Sequence, residues 1–276
     1  MADAKTTVVT GGFDDFNSRH VRFLEEASKL GDVCVLLWSD ETVRALEGHP
    51  PNFPEKERLY LLQADRYVKD VRLVSGPVDR DSIPRVDGIN PETWAVEEES
   101  DNPRKREYAQ SHGVEYRAFK SEDLGGFPVL PFGPKGERSS QKRVMVTGCY
   151  DWFHSGHVRF FEEVSGLGDL YVVVGHDANI KLLKGDGHPI FSQDERRYMV
   201  QSVRFVKGTL ISSGQGWMDA EPEVAVVKPD IYAVNEDGDV PEKRAFCKEY
   251  GIEYVVLKRI PKEGLPKRQS TNLRGF

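Results

Sequence analysis

At 276 residues the chain is long enough for two domains, each able to bury a core. Its 38% apolar and 30% charged composition is that of a soluble globular protein, with no apolar run near the roughly 18 residues of a membrane span. A net charge of −7 argues against a general nucleic-acid binder, which is usually basic, and three scattered cysteines without a CxxC pair argue against a disulfide framework and point to a reducing, cytoplasmic setting.

Met1 to Lys5 lead straight into an apolar strand, without the pattern of a secretory leader. The next segment, Thr10 to Asp32, recurs later in the chain. It aligns with Thr147 to Asp169 at an offset of 137, with 15 identities in 23 positions. Beyond a one-residue slip the offset becomes 138: Phe53, Glu57, Arg58 and Tyr60 match Phe191, Glu195, Arg196 and Tyr198, and Lys105 and Arg106 match Lys243 and Arg244. A period this long means tandem domains rather than a solenoid. The predicted organisation is a first domain over 1–124, a linker over 125–142 rich in Gly, Pro and Ser, and a second domain over 143–276. The acidic run Glu97 to Asp101 reads as a solvated loop.

In the second copy Val144-Met145-Val146 reads as a short buried strand and Leu170 to Val174 as another. Between them Gly156 to Leu167 has apolar residues at Val158, Phe161, Val164 and Leu167, with Gly168 as its stop. Ser192 to Glu195 forms a capping box that opens a further helix. Ile231 to Val234 and Tyr254 to Leu257 read as strands flanking a helix over Pro241 to Tyr250. Strands alternating with helices predict an α/β class: two tandem, Rossmann-like, doubly wound parallel-sheet domains. Ligands of such sheets bind beyond the carboxyl ends of the strands, where Thr147 to His157 lies.

That segment reads Thr147-Gly148-Cys149-Tyr150-Asp151-Trp152-Phe153-His154-Ser155-Gly156-His157. Strand, tight turn and helix entry suit a phosphate, because the first helical turn offers unpaired N–H groups and the positive end of the helix dipole. His154 and His157, three apart, can face one side of that turn and donate to phosphate oxygens, more strongly if protonated. Gly156 would let a ligand approach the backbone, and Cys149 reads as a backbone contributor rather than a reactive thiol. In the first copy Asn17 replaces His154 and Arg19 replaces Gly156, so that copy reads as inactive, kept for packing, for pseudo-dimer pairing with the second copy, or for regulation. His176 and His188 lie outside the motif and read as structural or exposed. No cluster has metal-ligand spacing.

The motif resembles the HxGH nucleotidyltransferase superfamily that includes the cytidylyltransferases. Lys184-Gly185, Asp194 to Met199 and Ser270-Thr271 follow in that family's order, and the tandem layout resembles ethanolamine-phosphate cytidylyltransferase. The resemblance implies attack of a phosphomonoester, a small phosphorylated alcohol or sugar, on the α-phosphorus of a nucleoside triphosphate, with Mg²⁺ neutralising the triphosphate. It implies catalytic roles for His154, His157, Lys184, Ser270 and Thr271. It implies nucleotide contacts from Gly148, Cys149, Tyr150, Asp151, Gly156, Asp237, Lys267, Arg268 and Gln269, and substrate contacts from Lys181, Arg196 and Trp217. The closing loop Lys267-Arg268-Gln269-Ser270-Thr271 departs from the cytidylyltransferase pattern, and with Asn272-Leu273-Arg274 also resembles the ending of some adenylyltransferases. CTP is the expected donor, with ATP, or nucleotide binding without turnover, as the alternatives.

Overall fold

Buried apolar runs alternating with helices build two parallel sheets. The computed structural model describes residues 5–132 and 140–273; residues 133–139 of the expected linker, and the side chains of Thr271 and Asn272, lie outside the described residues. The chain divides into two compact units, Met1–Gly126 and Phe127–Phe276. The first contains β1 (Thr6–Gly11), α1 (Ser18–Ser28), β2 (Asp32–Trp38), α2 (Asp40–Glu47), α3 (Glu55–Ala64), β3 (Val68–Val74), β4 (Thr93–Glu97), α4 (Pro103–Ser111) and β5 (Glu115–Phe119). The second contains β6 (Arg143–Gly148), α5 (Ser155–Ser165), β7 (Asp169–Val174), α6 (Asp177–Lys184), α7 (Gln193–Gln201), β8 (Val206–Ile211), α8 (Glu221–Val227), β9 (Ile231–Asn235), α9 (Pro241–Glu249) and β10 (Glu253–Leu257).

Strand order is β3-β2-β1-β4-β5 in one sheet and β10-β9-β6-β7-β8 in the other. Counted from its own first strand, each sheet has the same order, and every pairing is parallel. Both faces of a parallel sheet are covered, so its inner strands are apolar throughout; Val144, Met145 and Val146 are fully buried. The order reverses where β6 meets β9. These two strands pair only at Val144↔Ile231 and Met145↔Tyr232, then part. The crevice beyond their carboxyl ends is where such folds bind ligands.

Helix α5 ends at Ser165 with Gly166 as its cap, earlier than the sequence pattern predicts. Gly168 has another task. A Cβ there would lie 2.2 Å from the Lys142 carbonyl oxygen, so only glycine lets the chain re-enter the sheet; Gly31 faces Lys5 in the same way. The Ser192 cap is present, its hydroxyl accepting from Glu195 N at 3.3 Å. Part of the expected linker is packed. Phe127 lies against Tyr198 and Phe132 against Tyr171, and Gln201 exchanges hydrogen bonds with Pro128 O and Leu130 N. No helix among the described residues is long and apolar enough to cross a membrane.

Candidate active site

The loop from β6 to α5 is held in shape by residues that both copies share. Tyr150 and Trp152 adopt left-handed φ of 54° and 77°, and their counterparts Phe13 and Asp15 adopt 49° and 48°. Side chains other than glycine rarely take this region, so surrounding contacts must hold them there. Asp151 supplies one such contact: its carboxylate accepts from Ile190 N at 2.8 Å and Phe191 N at 3.1 Å. Asp14 does the same for Asn52 N and Phe53 N. Arg196 supplies another. It is buried, donating to Phe191 O at 2.9 Å, Gly175 O at 2.7 Å, Asp177 at 2.8 Å and Cys149 O. The substrate contact expected of Arg196 is therefore corrected: its guanidinium is committed to backbone carbonyls, as is that of Arg58 in the first unit.

At the start of α5, His154 is the helix cap. Its Nδ1 accepts from Gly156 N at 3.0 Å, and His157 Nδ1 accepts from His154 N at 3.4 Å. The rings stack with centroids 3.9 Å apart. An imidazole nitrogen that accepts an N–H is unprotonated, so in each neutral ring the proton sits on Nε2. Burial, then Arg259 and Arg268, pushes His154 down to about 3. Burial, then His154, Arg259 and Lys184, holds His157 well below the usual imidazole range. The pair is thus neutral at neutral pH, so the strengthening that protonation would bring does not apply. His154 Nε2 is buried with no hydrogen-bond partner among the described residues, and of the two histidines only His157 lines the cavity in front of the turn.

Gly156 lines the cavity in front of the turn, and it has a second task. A Cβ there would stand 2.9 Å from His154 Cε1 and 3.0 Å from its Nδ1. Glycine makes room for the histidine ring itself.

A cavity of about 440 Å³ opens in front of this turn. Of the predicted residues, Gly148, Cys149, Tyr150, Asp151, Gly156, His157, Lys184, Asp237, Gln269 and Ser270 line it. The Ser270 hydroxyl donates to Trp152 O at 3.3 Å, tying the 3-10 turn Ser270–Leu273 to the loop. The Thr271 side chain lies outside the described residues. Cys149 is partly buried, which raises its thiol pKa and leaves it unreactive. Lys267 and Arg268 line an adjoining crevice with Gly156, Asn235 and Arg259. Lys181 and Trp217 are not brought to the cavity. Lys181 pairs with Asp186 at 3.2 Å, and Trp217 stands exposed in a turn that Asn179 ties to α6.

Sequence reasoning did not single out Lys243 or Arg259, and met Asn235 only as the start of Asn235-Glu236-Asp237, where the chain departs from the family's nucleotide-recognition pattern. Asn235 lines the cavity with a buried, unpartnered Oδ1. Lys243 is buried, which lowers its pKa, and donates to Gly238 O at 3.3 Å. Its recurrence as Lys105 was the available signal. Arg259 pairs with Asp237 and donates to Arg268 O at 3.1 Å, joining the end of β9 to the closing loop. No motif surrounds it.

The first unit keeps the cavity and changes its contents. Asn17 caps α1, accepting from Arg19 N at 3.1 Å and His20 N at 3.4 Å. The smaller cap leaves space for a side chain at 19. Arg19 fills it, pairing with Glu97 at 2.7 Å and Glu99 at 2.9 Å. Within the acidic run read as a solvated loop, Glu98 to Ser100 are exposed, while Glu97 and Glu99 pair with Arg19.

A strand, a turn with a stacked histidine pair and a helix N-terminus at a switch point define a nucleotide-binding α/β domain. Residues 145–274 match the family described as cytidylyltransferase-like. A FAD synthase from Aciduliprofundum boonei is 38% identical over 119 residues, which is 42% of this chain and 76% of the relative. Another from Ferroglobus placidus is 32% identical over 125 residues, 44% of this chain and 78% of the relative. The bifunctional protein HldE of Nitratiruptor is 37% identical over 143 residues, covering 51% of this chain but only 30% of that protein. A crystal structure of a lipopolysaccharide core biosynthesis protein from Thermoplasma volcanium aligns with 47% of this chain and 100% of its own, at 26% identity and a TM-score of 0.37. The chain belongs to the cytidylyltransferase-like family and is a nucleotidyltransferase.

Proposed function

We propose that the second unit transfers a nucleoside monophosphate, CMP from CTP, to a small phosphomonoester, and that the first unit is not catalytic. A phosphate oxygen of the acceptor attacks the α-phosphorus. The bond to the bridging α–β oxygen breaks, and its electron pair leaves with pyrophosphate. No covalent enzyme intermediate is needed, so positioning and stabilisation of phosphoryl charge supply the rate. The observation that carries this reading is the neutral histidine pair, with Nε2–H at each ring and one of them unpartnered, at the N-terminus of α5. Fixed neutral donors bind phosphoryl oxygens without a proton to lose to them. Lys184 adds a cation at the cavity wall, and Ser270 a donor from the closing turn. Magnesium would enter with the nucleoside triphosphate, carried by its phosphate oxygens.

ATP is the second reading. The two FAD synthase relatives and the ending Ser270-Thr271-Asn272-Leu273-Arg274 favour it. The test is pyrophosphate release by the purified chain with CTP, ATP, GTP or UTP and Mg²⁺, against a panel of phosphocholine, phosphoethanolamine, glycerol 3-phosphate and flavin mononucleotide. Turnover with CTP supports the first reading, turnover with ATP alone replaces it with the second, and none with any pair refutes both.

A further inference from the structure

Two polar groups on the wall of the second unit's cavity are buried without a partner among the described residues: the Tyr150 hydroxyl and Asn235 Oδ1. A hydroxyl donates or accepts, so it suits either kind of ligand group, whereas an amide oxygen only accepts. Left unpaired away from water, such an oxygen is destabilising, and in the free site its donor is missing. The ionised phosphates of a nucleoside triphosphate carry acceptors alone. The donors on such a ligand are the ribose hydroxyls and the N–H groups of the base.

The first unit shows what kind of donor this position takes. Asn235 ends β9 and Glu97 ends β4, matched at the offset of 138, while Gly156 and Arg19 are matched at the offset of 137. Asn235 and Gly156 both line the cavity and the adjoining crevice, with Phe160 and Arg259, so the two positions face one space. They have changed together. In the first unit the Glu97 carboxylate accepts from Arg19 Nε at 2.7 Å, and Glu99 accepts from the same guanidinium at 2.9 Å. In the second unit Gly156 has no side chain, and the oxygen at position 235 lacks the donor that its counterpart keeps. The donor that is gone is a guanidinium, a planar carbon bearing trigonal nitrogens with N–H groups in its plane. Cytosine and adenine carry a like fragment: an exocyclic amine beside a ring nitrogen, joined through one carbon. Uracil and hypoxanthine carry a carbonyl there, which would face Oδ1 acceptor to acceptor. The charges match too. A cationic donor meets a carboxylate in the first unit, and a neutral amine would meet a neutral amide in the second.

We infer that Asn235 is a specificity residue: its Oδ1 accepts from the exocyclic amine of the nucleotide's base, so the site takes cytosine or adenine and rejects the oxo base of the same shape. This rests on the nucleotidyltransferase reading of the cavity and deepens it. Four nucleotides with Mg²⁺ test it by titration calorimetry on the full chain: CTP against UTP, and ATP against inosine triphosphate. In each pair an amine gives way to an oxo group on the same ring. The aminated member of whichever pair binds is expected to bind at least about ten-fold more tightly, because a site built around a ligand N–H rejects the analogue that leaves its acceptor unpaired. Asn235→Asp keeps an acceptor and should keep the preference. Asn235→Leu removes it, so the two members should bind within about two-fold of each other, and the free chain should melt no lower, since no hydrogen bond within the protein is lost. Equal binding of the two members by the parent chain, or a preference that survives in Asn235→Leu, would overturn the assignment. Binding of none of the four would overturn the nucleotide reading itself, and this inference with it.

Discussion

Gly156→Ala tests whether the turn between β6 and α5 is built around the His154 ring. The new methyl carbon would stand 2.9 Å from Cε1 and 3.0 Å from Nδ1, where ordinary contact is about 3.5–4.0 Å. The ring cannot slide freely, because it stacks on His157 at 3.9 Å. It must rotate away and give up the 3.0 Å bond from Gly156 N. Overpacking typically costs about 1–3 kcal/mol and a lost cap about 1 kcal/mol. A net loss of about 2 kcal/mol is expected, lowering the unit's melting temperature by roughly 4–8 °C. Displacing one fixed donor should lower kcat about 100-fold in the pyrophosphate assay. The double variant His154→Asn with Gly156→Ala separates the two effects. Asn is the cap that the first unit uses beside a bulky residue, so stability should return while turnover stays low. Thermal melting and pyrophosphate release are measured on both. A single variant that melts and turns over like the parent chain would refute the steric coupling, and a double variant that recovers turnover would refute the role of His154.

Lys184→Ala should cut turnover about 100-fold without moving the melting temperature, since Lys184 is exposed and lines the cavity; unchanged kinetics would remove it from the site. Arg196→Met should destabilise by about 3 kcal/mol in urea unfolding, because it leaves three carbonyl oxygens at a buried site without their donor, while the half-exposed Asp177 is solvated; a loss below about 1 kcal/mol would show that the clamp is dispensable. Acid should weaken the fold through the buried histidines. His154 falls to about 3 and His20 to about 4 in the folded chain, against about 6.5 unfolded. The unfolded chain therefore takes up protons first as pH drops. This contribution is fully present above about pH 6.5 and is lost progressively toward the folded values. Urea midpoints between pH 7.5 and 4 should fall more steeply for the parent chain than for the His154→Asn, Gly156→Ala variant. Parallel slopes would contradict neutral burial of His154.

Much of the fold was legible because its signals are local. Apolar runs such as Val144-Met145-Val146 and caps such as Ser192 depend on neighbours within a few residues. The internal repeat then carried the reading from one copy to the other. The site was legible where a motif is contiguous, at Gly148 to His157, and less so where it is assembled from distant segments. Lys181, Arg196 and Trp217 all sit near motif residues along the chain, but direction decides contact. Arg196 points inward to carbonyls, Lys181 pairs with Asp186, and Trp217 is turned to solvent. Asn235, Lys243 and Arg259 lie 78 to 102 residues beyond His157 and reach the cavity only through the crossing of β9 and β10 beside β6.

The order of elements, the histidine pair and the altered first copy are properties of the sequence alone, because periodicity and residue identity report them without any long-range contact. The state of those residues was decided by tertiary structure. Burial makes His154 and His157 neutral, and the His154 ring gives Gly156 its reason. Charge and hydrogen-bonding roles depend on what surrounds a group in space, and that neighbourhood is assembled by folding.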